Sequence, residues 1–140
     1  MNIMKLDEAI LAIIEKKEEL NSLSNYDSKY EIINNELTLL EQQFLSQFGS
    51  YIEEAIFNVH DEFCPDIDVM QPLAYIADHY IRKNDRMLEV IKSEGIPVEC
   101  DDFPGLKARL VLVPCPTRLV LVGENDDFNE IVWKAEEGFV

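Results

Sequence analysis

From Leu6 to about Leu23, apolar side chains fall at Leu6, Ile10, Ile13, Ile14 and Leu20, the three-and-four spacing of an amphipathic helix. Asp7 and Glu8 are expected in its first turn, where the helix dipole favours negative charge. The polar stretch Asn21 to Asp27 predicts a turn. A second, longer helix is predicted to start at Asp27 or Ser28, with Ser28 and Glu31 at capping-box spacing. Its apolar series is Tyr30, Ile33, Leu37, Leu40, Phe44, Phe48, Ile52, Ala55, Ile56, Val59 and Phe63. Gly49 is a point where this helix is expected to kink or split, and Pro65 ends it by forcing Cys64 out of helical geometry.

After the acidic loop Cys64 to Asp68, a third helix is predicted. Asp68 would cap it, Pro72 would sit in its first turn, and Leu73, Ile76, Ala77, Tyr80, Ile81, Met87, Leu88 and Ile91 would form its apolar face. Gly95 and Pro97 stop it. Beyond Ile96 the period changes to two. A short strand is predicted over 97–101 and a turn over Asp102 to Gly105. A hairpin over 107–122 follows, around the loop Pro114 to Thr117. With Val113 opposite Arg118, Leu110, Leu112, Leu119 and Leu121 share one face. Arg109, Val111, Val113, Arg118, Val120 and Val122 share the other, which must be covered by a helix or used for binding. A turn over Gly123 to Asp127 and a third strand near 128–135 complete the chain.

Helices followed by strands, rather than alternating βαβ units, indicate an α+β fold: two to three N-terminal helices, then a small antiparallel β meander. One domain over 1–140 is expected, with a helical part at 5–94 and a β-rich part at 96–136. No GxGxxG or GxxxxGK[ST] nucleotide loop is present, and no GxSxG nucleophile elbow.

Charge changes this picture most. The 140-residue chain has a formal net charge of −16. That excludes binding to nucleic-acid phosphates and to anionic membrane surfaces. No apolar run approaches the roughly 20 residues of a membrane span. The N-terminus, one lysine followed by an acidic pair, does not read as a signal peptide. With three widely spaced cysteines (Cys64, Cys100, Cys115) and no CxxC, a reducing, cytoplasmic location is expected.

Candidate chemistry is sparse. His60 and Cys64 are four apart, a spacing that would suit a Cys–His nucleophile or two legs of a zinc site. Pro65 disturbs the helix there, no third group is placed to orient His60, and His79, Cys100 and Cys115 complete no zinc pattern. The plainer reading is a helix-flank histidine and a packing cysteine. Asp61, Glu62, Asp66 and Asp68 offer hard oxygens but lack the EF-hand pattern, so a solvated, helix-capping loop is the simpler account. No cofactor or metal is expected.

The distribution of charge is more telling than its sum. From Tyr30 to Ile81, 52 residues, there is no Lys or Arg, while ten acidic residues fall in the same stretch. Ordinary exposed helices mix signs to gain a few tenths of a kcal/mol per i,i+4 pair. Glu54 and Asp61, seven apart, lie within about 20° on the helix. These observations suggest a one-signed face formed by Glu53, Glu54, Asp61, Glu62, Asp66 and Asp68. The expected function is an acidic binding protein that docks on and blocks a basic protein partner, such as a toxin or a nucleic-acid-acting enzyme. Immunity proteins and nucleic-acid-mimicking inhibitors share this composition. Alternatives are a homo-oligomerisation or structural module, with a homodimer through the Val/Arg sheet face, and a metal or thiol enzyme using His60 and Cys64.

Overall fold

A computed structural model describes residues 2–84, 87–100, 105–124 and 128–136. Helix α1 (Ile3–Asn21) starts where the Asn2 side chain accepts the Lys5 N–H at 3.1 Å. Helix α2 (Tyr30–Phe63) runs 34 residues, about 51 Å, and continues unsplit through Gly49. Its start differs from the expected capping box. The N-cap position is Lys29, with no side-chain cap bond, and Asp27 Oδ1 instead accepts the Lys29 N–H at 2.8 Å within the preceding turn.

The third helix predicted from Asp68 does not form. Pro72–Tyr75 makes a single 3-10 turn, and strands β1 (Tyr80–Arg82) and β2 (Leu88–Val90) pair as an antiparallel hairpin. Tertiary bonds override the helical spacing. Tyr75 Oη accepts the Met70 N–H at 3.0 Å, while the Tyr80 hydroxyl donates to Leu112 O at 2.6 Å and accepts the Ala77 N–H at 2.9 Å. Asn84 Oδ1 then closes the turn by accepting the Met87 N–H at 3.0 Å.

Strands β3 (Ile96–Val98), β4 (Ala108–Val113), β5 (Arg118–Gly123) and β6 (Asn129–Lys134) form a four-stranded antiparallel meander in that order. The expected register holds: Val113 faces Arg118, and Leu112 faces Leu119. The expected turn residues 102–104 and 125–127 lie outside the described residues. β3 ends at Val98, short of the expected 101. The architecture is thus α+β, two helices followed by two small antiparallel sheets.

Both faces of the β4–β5 hairpin are buried. On the leucine face, the Trp133 ring, cross-strand from Leu119, meets the Tyr51 ring of α2 with centroids 5.7 Å apart. Gly95, next to the Ile96–Leu110 pair, lies close beside Val111 at φ +99°, a conformation that suits glycine. A Cβ there would sit 2.7 Å from Leu110 O. One contiguous buried cluster therefore draws on both helices and the meander.

Asp7 departs furthest from its expected role. It lies beyond the first turn, is only 6% exposed, and its Oδ1 reaches the β4–β5 loop. That oxygen accepts from Thr117 Oγ1 at 2.6 Å, Thr117 N at 2.8 Å and Cys115 N at 3.2 Å. Arg118 braces the same loop, donating through Nη1 to Pro114 O at 3.1 Å and Pro116 O at 2.9 Å. Burial lowers the Arg118 pKa, opposed by nearby Cys115, Asp7 and Tyr80.

Candidate docking face

The core stripe of α2 fixes which way its charges point. Phe44, Ile52, Ala55, Ile56 and Val59 face inward, so Glu53, Glu54, Asp61 and Glu62 are left on the exposed side. Asp66 and Asp68 are also exposed, in the loop that follows. Successive helical residues turn by about 100°, so Glu53 and Glu54 diverge around the helix, Asp61 returns to the Glu54 side, and Glu62 sits further round. The six carboxylates thus form a band around the C-terminal end of α2 rather than one tight cluster.

Not all charges of the cation-free window remain open. Lys16 of α1 pairs with Glu36 at 2.7 Å and with Glu19 at 3.2 Å, which together raise the lysine pKa. Lys17 pairs with Asp78 at 2.9 Å. The first helix thus supplies across space cations for two of the ten carboxylates of the window. Among the described residues, none of Glu53, Glu54, Asp61, Glu62, Asp66 and Asp68 takes part in an ion pair. Holding them unpaired costs the fold little. Two unit charges about 10 Å apart in water repel by roughly 0.4 kcal/mol, less once salt screens them.

Phe57 stands amid this charge at 54% exposure. With Ser50, Glu53 and Glu54 it lines an open depression of about 380 Å³, and Asp61 follows one turn later. Phe57 falls outside the apolar series that defined the core, and that misfit was the signal in the sequence that it faces solvent.

His60 does not join Cys64 in a reactive pair. It is buried, and its two ring nitrogens are both engaged: Nδ1 lies 3.0 Å from Ile67 O, and Nε2 lies 2.8 Å from Tyr75 Oη. A carbonyl only accepts, so Nδ1 carries the proton and Nε2 accepts from the Tyr75 hydroxyl. That hydroxyl in turn accepts from Met70 N–H. The chain of bonds ties the Asp66–Asp68 loop onto the end of α2, leaving neither nitrogen to bind a metal or deprotonate a thiol. Cys64 is buried beside it. Among the described residues, no group of three His, Cys, Asp or Glu is placed to hold a metal ion. Burial pushes the Tyr75 pKa up, with Met70 N–H opposing and Cys64 adding to the rise.

The valine face expected to pair with a second copy is already covered, since Val111, Val120 and Val122 are buried within the chain. A homodimer through those side chains would have no open surface to use. A depression of about 430 Å³ beside β3 is lined by Ile67, Pro97 and Leu106 with Glu99, Lys107 and Glu124 among its other walls. Its charges are of mixed sign. No helix of the described residues is long and apolar enough to cross a membrane. No protein-family model, curated protein or solved structure matches the chain.

Proposed function

We propose that this chain is an acidic cytosolic binding protein that docks on a basic protein partner and blocks it. The contact surface is Glu53, Glu54, Asp61 and Glu62 of α2 together with Asp66 and Asp68. One observation carries the reading: these six carboxylates are exposed and outside every ion pair among the described residues, whereas Glu36 and Asp78 of the same window are paired by Lys16 and Lys17. A complementary field accelerates encounter and rejects partners of the wrong sign. Phe57 adds an aromatic anchor of the kind that dominates interface energetics, set within a charged rim. A nucleic-acid-acting enzyme or toxin offers a positive groove that such an array would fill.

The test is a partner captured from source lysate at low salt, identified after elution by a salt gradient, and then rebound in purified form. Glu54→Lys with Asp61→Lys should slow association by on the order of 10-fold at low salt, and the effect should shrink as salt rises. Glu89→Lys, on strand β2 outside this face, should change it less than about two-fold. A partner that is neutral or acidic, or binding that ignores salt, would overturn the proposal.

A further inference from the structure

α2 carries a second seam on its solvent side. Ile32, Glu36, Leu39, Gln43, Ser46, Ser50, Glu53 and Phe57 are all exposed, and their spacing alternates four, three, four, three. That is the a/d spacing of a heptad repeat, which keeps one straight line along a helix facing a neighbouring helix. Its apolar members, Ile32 at 59%, Leu39 at 54% and Phe57 at 54%, are among the most exposed large hydrophobic side chains of α2. Between them lie only Gln43, Ser46 and Ser50 as uncharged members, short or flexible enough to let another backbone approach. Glu36 and Glu53 lie within the line, and further carboxylates border it on both sides, Glu31 on one and Glu54 and Asp61 on the other, within about 100° of the seam.

Resting on the docking reading above, we infer that the partner engages this face with a basic amphipathic helix laid along α2. Such a helix would place apolar residues on Ile32, Leu39 and Phe57 and Lys or Arg against the flanking carboxylates. A straight, heptad-spaced ridge matches a helix better than a loop, which would touch one patch of it. From Ile32 to Phe57 the ridge is about 37 Å long, enough for a helix of roughly 25 residues. A second copy of this chain is the wrong occupant, because it would set Glu31, Glu53 and Glu54 against the same charges.

The probe is a fluorescent 25-residue peptide with Leu at heptad a and d and Lys at e and g, set against a scramble of identical composition. Anisotropy and circular dichroism with the full chain at low salt read affinity and helix content. The patterned peptide should bind at least about 10-fold more tightly than the scramble and gain helix on binding. Leu39→Ser with Phe57→Ser should cost it about 10-fold, equivalent to roughly 1.4 kcal/mol, and leave the scramble unchanged. Both positions are exposed, so the double variant should keep the parent's dichroism and melting temperature. Equal binding of the two peptides would overturn the helix inference and leave the acidic docking face standing. A patterned peptide indifferent to the double variant would overturn it too, by placing the contact elsewhere. Failure of both peptides to bind would remove the docking reading along with it.

Discussion

Replacing Asp7 by alanine should be among the most damaging single changes in this chain, although Asp7 lies far from the proposed face. Its Oδ1 accepts three hydrogen bonds from the β4–β5 loop, two of them from the fully buried Thr117 at 2.6 and 2.8 Å. Truncation strands those donors, and a buried donor left unpaired costs about 1–3 kcal/mol. The alanine side chain has no carboxylate to desolvate, which returns part of that cost. A net loss of about 3 kcal/mol is expected, out of roughly 5–15 kcal/mol for a whole domain. For 140 residues this corresponds to a fall in Tm of about 10 °C. Asp7→Asn keeps an acceptor oxygen but loses the charge that strengthens the bonds, so about half of the effect should remain. Urea unfolding followed by far-UV dichroism, with fluorescence of the single tryptophan, Trp133, as a second probe, measures both variants. Thr117→Val, alone and with Asp7→Ala, completes a double-mutant cycle whose coupling energy should exceed about 1 kcal/mol. An Asp7→Ala variant within about 0.5 kcal/mol of the parent, or a cycle with no coupling, would refute the reasoning.

Gly95→Ala forces a Cβ against Val111 and to 2.7 Å from Leu110 O, at a residue whose φ is +99°. A loss of roughly 2–4 kcal/mol in urea unfolding is expected, and a loss under about 1 kcal/mol would count against the packing described. Burial raises the phenol pKa values of Tyr75 and Tyr80 above their ordinary value. The folded state thus favours the neutral phenols, a contribution fully present below about pH 10 and lost as pH rises through the raised values. Two of the five tyrosines should form phenolate only in step with alkaline unfolding. Simultaneous titration of all five in protein that keeps its dichroism would contradict this.

Elements held together by their own periodicity were legible in the sequence; elements held together by distant partners were not. The core stripes of α1 and α2 follow from spacing alone. The β4–β5 register follows because two alternating runs flank a short loop, leaving one pairing that keeps the leucines on one face. Residues 68–94 failed for the opposite reason. Their apolar positions fit a helical period, yet Tyr75 and Tyr80 bond to α2 and β4, and a single hydroxyl reaching a distant carbonyl leaves no local pattern. Asp7 misled in the same way, since its place near a helix start suggested a dipole role while Thr117, which it serves, lies 110 positions away. Among the proposed docking residues, exposure was readable from the helical phase, and the same phase left Phe57 outside the core. The pairing of Glu36 and Asp78 was not readable, because the neutralising lysines come from another helix.

That pairing bears on what the net charge of −16 means. If the negative charge served solubility alone, the few cations would have no reason to gather at particular places. They do gather. Lys16 and Lys17 lie where α1 meets α2 and the 76–78 segment, and Arg82 of β1 reaches Glu18 of α1. Arg109 of β4 joins Glu124 at 2.8 Å and Gly95 O at 3.1 Å. Each of these cations joins elements of the fold to one another. The C-terminal end of α2 needs no such joint, because the hydrogen-bond chain through His60 and Tyr75 already holds its loop in place. The fold can therefore leave that end wholly negative at almost no cost to itself, and a basic partner would meet there a band of carboxylates that none of the ion pairs among the described residues engages.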